Sequence, residues 1–261
     1  MQEEMQYHGI FDSHAHYDDS RFQEDREEIF ASLPSLGVCG LINVGCNLES
    51  SRTALQYAEQ YDYVYAAVGY HPEQAAEYTE NGIAEIREML RRPKTVAIGE
   101  IGLDYYWPEP AREIQQAVFE RQLALAQELD IPVIIHSRDA AEDTLKALKR
   151  FPKVRGVVHC FSGSAETAAV LVKMGFFIGF TGVLTFKNSR RPAEACKAVP
   201  LDRLLLETDC PYMAPVPYRG HRCWSPMIAR TAERMAEIKG IAPQEMIDIA
   251  RENAKRLFRL S

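Results

Sequence analysis

Residues 113–136 read EIQQAVFERQLALAQELDIPVIIH, and this stretch contains both kinds of segment that decide the fold. Its first part, Glu113 to Leu129, has apolar residues at helical spacing and predicts an amphipathic helix. The apolar stripe of that helix consists of Ile114, Ala117, Val118, Leu125 and Leu129. Its second part, Val133 to His136, is a short β-branched run that predicts a buried strand. A helix followed at once by such a strand is typical of a βα unit.

The same alternation recurs along the whole chain, where short apolar runs predict eight strands. They are His8 to Asp12, Val38 to Val44, Tyr63 to Val68, Val96 to Glu100, Val133 to His136, Gly156 to His159, Phe176 to Gly179 and Leu204 to Thr208. Strands that alternate with helices predict one parallel sheet, and eight units predict an α/β protein with the (β/α)8 TIM barrel fold. We expect a short helix over Asn188 to Val199 and further helices after Trp224. Because no linker or repeat divides the chain, residues 1–261 are predicted to form a single domain.

Composition narrows the functional classes. The chain has 261 residues, of which 46% are hydrophobic and 26% charged, which is typical of a globular protein and not of a disordered one. Its 30 basic and 37 acidic residues give a net charge of 30 − 37 = −7. A negatively charged protein is not expected to coat duplex DNA, so any contact with phosphates must come from local basic loops.

Location is predicted from the N-terminus and the cysteines. Met1 to Tyr7 is polar and acidic without the pattern of a signal peptide, and the apolar runs are too short to span a membrane. The six cysteines include no CxxC pair and predict reduced thiols, not a disulfide framework. We therefore expect a cytoplasmic protein with no membrane partner and no obligate protein partner.

Histidines mark the predicted carboxyl ends of the strands, the edge at which barrels of this type carry their active sites. Five of the seven lie at or just past such an end. After the first strand, Asp12, His14 and His16 alternate and therefore project to one side. An HxH pair by itself often arises by chance, so its interpretation depends on what else reaches the same edge.

Four more side chains reach that edge. Glu100 ends an apolar, glycine-flanked strand, where a buried carboxylate needs a cation or several hydrogen-bond donors. His136 and His159 end the next two strands, and they are either core histidines with separate partners or ligands of one shared centre. Asp209 follows the last strand and is either a helix N-cap or a further ligand. Together with His14 and His16 they supply six nitrogen and oxygen donors, the inventory of a two-metal hydrolytic site.

Motifs around these residues resemble those of one family. They are the HxH pair His14 and His16, GEIGLDYY at residues 99–106, IHSRDA at 135–140, VVHCFSG at 157–163 and LLETDCPYMAP at 205–215. In this order and spacing they resemble the TatD family of metal-dependent deoxyribonucleases over essentially the whole chain. The family often continues as RGKRNEP, whereas this chain has RGHRCWSP at residues 219–226, a departure in a loop expected to contact substrate.

The resemblance implies a TIM-barrel metallohydrolase that uses two divalent metal ions, with Mg²⁺ expected and Mn²⁺ or Zn²⁺ as alternatives. It also implies the ligand set. One ion would be held by His14, His16 and Asp209, the other by His136 and His159, and Glu100 would bridge the two. The substrate implied is DNA, and the resemblance favours single-stranded ends trimmed from 3′ to 5′.

The chemistry of the residues agrees with that expectation. Two such ions activate a hydroxide for attack on a phosphodiester, with Glu100 and Asp209 as catalytic groups and Asp209 also accepting the proton of the attacking water. His71 is expected to contact substrate phosphate or leaving group, with a structural hydrogen bond as the alternative. Three arginines in the same loops could bind phosphates: Arg138, Arg219 and Arg222. Aromatic residues in these loops could stack bases of a single strand or merely pack the loops.

Two other functions remain open. An amidohydrolase-type enzyme acting on a small amide, ester or lactone would use the same metals, because an activated hydroxide attacks carbonyl carbon as well as phosphorus. A non-catalytic metal-binding or scaffold protein is the third possibility, and a complete ligand set argues against it.

Overall fold

The structure is a computed structural model that describes residues 7–260. The prediction made for Met1 to Tyr7 therefore lies outside the described residues, except at Tyr7 itself. Eight strands follow one another along the chain: β1 (Ile10–Ala15), β2 (Val38–Val44), β3 (Val64–Val68), β4 (Thr95–Asp104), β5 (Val133–Arg138), β6 (Gly156–Val158), β7 (Phe177–Phe180) and β8 (Leu204–Leu206).

Helices of residues 7–260 separate these strands and follow the last one. They are α1 (Arg26–Ser32), α2 (Leu48–Gln60), α3 (Glu80–Met89), α4 (Arg112–Leu129), α5 (Ala141–Arg150), α6 (Ala165–Lys173), α7 (Arg190–Ala198), α8 (Ile228–Lys239) and α9 (Pro243–Phe258). Local sequence sets their ends. A capping box between Asn47 and Ser50 begins α2, and Asp130 in the left-handed conformation ends α4. None of these helices is long and apolar enough to cross a lipid bilayer.

The strands form one sheet in the order β1 to β8. Parallel pairing joins β3 to β4, β4 to β5, β5 to β6 and β7 to β8, with helices in the connections. This confirms the prediction of an α/β protein with the (β/α)8 TIM barrel fold. Helix α7 lies inside the short helix predicted over residues 188–199, and α8 and α9 are the expected helices after Trp224.

The largest difference from the predicted elements is in β4, which runs four residues beyond Glu100 to Asp104. Its pairing with β5 shifts register between Ile98 and Ile101 and then continues. Gly102 permits this, because its φ is +146° and a Cβ there would lie 2.0 Å from the carbonyl oxygen of His136. The extended strand brings Asp104 to the end of β4, where it acquires a role described below.

The described chain divides into two compact units. Of the described residues, the first unit comprises 7–42, Cys160–Val172 and 177–260, and the second comprises Asn43–His159 and Lys173–Phe176. In the first unit α8 and α9 pack on each other, and α9 packs on β1 and β8. In the second, α2 packs on β3 and α4 on β4. That residues 1–261 form a single domain stays a prediction.

Candidate metal centre

In the first unit, the end of β1 and the turn after β8 bring together three predicted ligands. The Nε2 atoms of His14 and His16 lie 3.0 Å apart. Each lies 3.6 Å from Oδ1 of Asp209. Alternation along β1 places both imidazoles on one side, as predicted, and a backbone hydrogen bond of 2.9 Å from Asp209 N to the His14 carbonyl oxygen places the aspartate beside them.

Asp12 stabilises the turn that carries Asp209 through hydrogen bonds to neighbouring residues. Its Oδ2 accepts hydrogen bonds of 2.7 Å from the hydroxyls of Thr208 and Ser225, and its Oδ1 accepts one of 3.0 Å from Thr208 N. Burial raises the pKa of Asp12 to about 6, although these hydrogen bonds oppose the shift. Asp209, which follows Thr208, has a φ of 60°, a left-handed conformation that is uncommon outside glycine. The bonds to Thr208 thus hold a strained turn that aims Asp209 at the two histidines.

In the second unit, β4, β5 and the end of β6 bring together the other three predicted ligands. Oε1 of Glu100 lies 2.5 Å from Nε2 of His159 and 2.8 Å from Nδ1 of His136. Those two nitrogens are 3.3 Å apart. The Glu100 side chain is only 4% exposed, so its charge is almost completely removed from water. Such a carboxylate is stabilised only by cationic or donating neighbours, as the sequence predicted.

Asp104 lies on the far side of His136. Its Oδ2 lies 2.8 Å from His136 Nε2, while His136 Nδ1 is directed at Glu100. Burial lowers the pKa of His136, but hydrogen bonds to Asp104 and Glu100 outweigh it and raise the pKa to about 9. For Asp104, burial raises the pKa, but the hydrogen bond with His136 more than offsets this effect. The pKa of Asp104 is therefore lowered. A carboxylate that holds one imidazole nitrogen while the other is directed at a ligand group is the usual support of a metal-binding histidine.

His71 also reaches Glu100, with 3.5 Å between its Nε2 and Glu100 Oε1. It precedes a 3₁₀ turn at Pro72–Glu77, and its Nδ1 accepts a hydrogen bond of 3.2 Å from Glu73 N. Because Nδ1 acts as acceptor, the neutral ring carries its proton on Nε2. His71 is therefore suited to donate a hydrogen bond from Nε2, and the same nitrogen would become a ligand if a metal displaced its proton, since His71, Glu100 and His136 lie close enough together to hold a cation.

The spacings of the two donor sets come within about 0.5 Å of those that a divalent cation requires. Ligand atoms at about 2.1 Å from one ion lie about 3.0 to 3.4 Å apart in octahedral or tetrahedral geometry. The separations in the first unit are 3.0 and 3.6 Å, and those in the second are 2.5, 2.8 and 3.3 Å. Each set combines imidazole nitrogens with a carboxylate, which is the chemistry of transition-metal and zinc ligands and also admits Mn²⁺ and Mg²⁺.

Comparison with known proteins identifies the family. Residues 11–259 match the model of the family described as TatD related DNase. The chain belongs to the TatD family. It is 43% identical over 254 residues to the uncharacterized metal-dependent hydrolase YabD of Bacillus subtilis, covering 97% of this chain and 100% of that protein. It is also similar to a protein of Rahnella named 3′-5′ ssDNA/RNA exonuclease TatD, with 34% identity over 250 residues, which cover 93% of this chain and 95% of the relative.

A solved structure supports the same assignment. The crystal structure of the TatD homolog YJJV from Escherichia coli superposes with a TM-score of 0.91 at 32% identity, over 97% of this chain and 99% of the homolog. This member of the TatD family is therefore a metal-dependent hydrolase with a TIM-barrel fold, as the motifs indicated.

The three arginines predicted to contact substrate differ in their surroundings. Arg138 ends β5, and its guanidinium carbon lies 3.8 Å from the ring centre of Tyr106. Arg219 is exposed and lies 4.4 Å from the ring centre of Phe186. Arg222 instead pairs with both carboxylate oxygens of Asp25 and donates a hydrogen bond of 2.6 Å to the carbonyl oxygen of Arg21. These bonds favour a structural role for Arg222.

Sequence reasoning missed Asp104 and Asp12 as supporting residues. Asp104 is four residues beyond Glu100, and this even spacing was the available signal that both face one way. It was missed because the predicted strand ended at Glu100. The partners of Asp12 lie 196 and 213 residues away, and no local pattern reveals them.

Proposed function

We propose that this chain is a divalent-metal-dependent deoxyribonuclease that trims single-stranded DNA ends, most favourably from 3′ to 5′. The observation that carries the proposal is the presence of two donor sets, one within each unit, in a family described as TatD related DNase. The relative named as an exonuclease on single-stranded DNA and RNA supports the choice of substrate and direction.

We assign the ligands as the family resemblance implies. His14, His16 and Asp209 would hold one ion, His136 and His159 would hold the other, and Glu100 would be the carboxylate shared by the two. When bound, a pair of divalent ions supplies Lewis-acid polarisation of a phosphoryl oxygen and raises the acidity of water. Mg²⁺ is the expected metal, and the imidazole-rich donor set makes Mn²⁺ and Zn²⁺ the alternatives to test.

Two residues of the chain handle protons in this proposal. Asp209, held at the turn by Thr208, accepts the proton of the attacking water through its carboxylate. His71 donates a hydrogen bond from Nε2 to a phosphoryl or leaving-group oxygen, because Glu73 N occupies its Nδ1. Arg138, exposed at the end of β5, and Arg219, exposed in the segment after β8, each contact a phosphate of the substrate.

An activity panel tests the proposal. The purified protein, stripped of metal and then supplied with Mg²⁺, Mn²⁺ or Zn²⁺, is incubated with single-stranded DNA, duplex DNA, RNA and a set of small esters, lactones and amides. We expect metal-dependent cleavage of single-stranded DNA. Turnover of a carbonyl substrate with no cleavage of any nucleic acid would instead assign the chain to the amidohydrolase-type activity.

A further inference from the structure

Two neighbouring aromatic side chains are exposed just beyond β4. Tyr106 is 54% exposed and Trp107 is 49% exposed. Their ring centres lie 4.8 Å apart with the planes nearly perpendicular, so each presents surface to water. Large aromatic side chains normally bury most of their area, and adjacent exposed ones commonly mark a binding surface.

The segment that carries these rings is held firmly. Tyr106 N donates a hydrogen bond of 2.9 Å to Oδ1 of Asp104. The buried side chain of Gln115 donates hydrogen bonds of 2.9 Å and 2.8 Å to the carbonyl oxygens of Asp104 and Pro110, which closes the loop on both sides of the aromatic pair. A surface held in this way loses little conformational entropy when a ligand binds.

Arg138 extends this aromatic surface. Its guanidinium stacks on Tyr106, and among the described residues 7–260 no carboxylate forms an ion pair with it. Asp104 attracts this guanidinium electrostatically but forms no ion pair with it. A stacked guanidinium that no carboxylate engages directly is suited to bind a phosphate bidentately. The surface therefore offers a cation for the backbone of a nucleic acid beside rings for its bases.

The carboxylate of Asp104 connects this aromatic surface to the candidate metal ligands of the second unit. Oδ1 of Asp104 holds the Tyr106 backbone, and Oδ2 holds Nε2 of His136. β4 and β5 pair Asp104 with Arg138 and Gly102 with His136, so Arg138 lies two residues beyond the histidine along β5. A nucleotide on the rings would therefore lie near His136, one of the proposed metal ligands.

We propose that Tyr106, Trp107 and Arg138 form a subsite that stacks unpaired bases of a single-stranded nucleic acid, next to the phosphate that is cleaved. This inference rests on the proposed nuclease function and specifies how its substrate is held. Unpaired bases expose the ring faces that stacking needs, whereas bases in a duplex are already stacked on each other.

Stacking, and not bulk charge, must supply most of the binding at this subsite. Exposed acidic residues, Glu109 and Asp139, follow the same two strands, and the whole chain carries −7. With Arg138 as the one phosphate contact of the subsite, the salt dependence for a single strand corresponds to about one counterion. Raising the salt from about 50 to about 200 mM should then weaken the contribution of this subsite to binding only about threefold.

A substrate cycle tests the stacking. The values of kcat/KM are measured for the metal-loaded wild type and Trp107→Ala on a short oligothymidylate, and on strands whose last few nucleotides at the 3′ or the 5′ end lack bases. We expect Trp107→Ala to lose at least about fivefold on the complete strand and little on the strand whose missing bases would have stacked. Equal loss on all three strands would overturn the proposal. Val170→Ala, which shortens another exposed apolar side chain, is the control.

Fluorescence gives an independent readout. Trp107 and Trp224 are the two tryptophans of the chain, so Trp224→Phe leaves Trp107 as the reporter. A cleavage-resistant phosphorothioate strand should quench Trp107, and an abasic strand of equal charge should not. Quenching without cleavage of any nucleic acid would retain the stacking subsite and reject the nuclease. Cleavage with neither quenching nor dependence on Trp107 would reject the subsite and retain the nuclease.

Discussion

Replacing Asp104 with asparagine tests how the second unit prepares His136 for a metal. Asp104 holds Nε2 of His136 at 2.8 Å, which directs Nδ1 toward Glu100. Asparagine has nearly the same shape but no charge. The variant should keep its fold and lose the electrostatic support of the imidazole.

The pKa of His136 determines the size of the effect. Hydrogen bonds to Asp104 and Glu100 outweigh burial and raise this pKa to about 9, so only about 3% of the metal-free protein has a neutral His136 at about pH 7.5. A metal that binds there must displace nearly one proton. Without the Asp104 carboxylate the pKa falls toward its ordinary value of about 6.5, and fewer protons are released. Loss of an outer carboxylate partner typically weakens metal binding by about 10- to 100-fold.

Calorimetric titration of the metal-free protein with Mn²⁺ measures both quantities. Titrations in two buffers of different ionisation enthalpy give the number of protons released as well as the affinity. We expect Asp104→Asn to bind more weakly and to release fewer protons than the wild type. Asp62→Asn, at an exposed turn of the same unit, is the matched control and should change neither. Unchanged affinity and proton release in Asp104→Asn would refute the role of this carboxylate.

Two further predictions concern the ligands. Glu100→Ala should abolish binding of both ions, because the proposed bridge is the one ligand that they share, and elemental analysis that finds two ions per active chain would exclude the bridge. In the metal-free protein, the protonated imidazole of His136, whose pKa is raised to about 9, stabilises the fold. This stabilisation is complete below about pH 6.5 and is lost as the pH rises through about 9, so the melting temperature should fall over that interval. The fall should be smaller in His136→Gln, and an identical fall in both proteins would contradict the shift.

Much of the fold and of the candidate site could be predicted because the determining signals are local. Apolar runs that end in histidine or glutamate located the ends of β4, β5 and β6 to within a few residues, and alternation along β1 correctly placed His14 and His16 on one side. These patterns follow from the two-residue period of a strand and need no knowledge of distant residues.

What escaped prediction depends on contacts between distant parts of the chain. In the sequence, a glycine such as Gly102 usually indicates that a strand has ended. In the structure, Gly102 instead lets β4 pass close to β5, which brings Asp104 to His136. The bidentate pair of Arg222 with Asp25 spans 197 residues, and the sequence alone indicated only a loop arginine. Such pairings are selected by the folded geometry and leave no periodic trace.

Cleavage of linear and circular single strands tests the central claim most directly. A 5′-labelled linear strand and a covalently closed circle of the same sequence are incubated with the metal-loaded protein, with metal-free protein as the control. We predict stepwise shortening of the linear strand from its 3′ end, only when metal is present, and an intact circle. Cutting of the circle at the rate of the linear strand, or shortening that persists without metal, would contradict the proposed function.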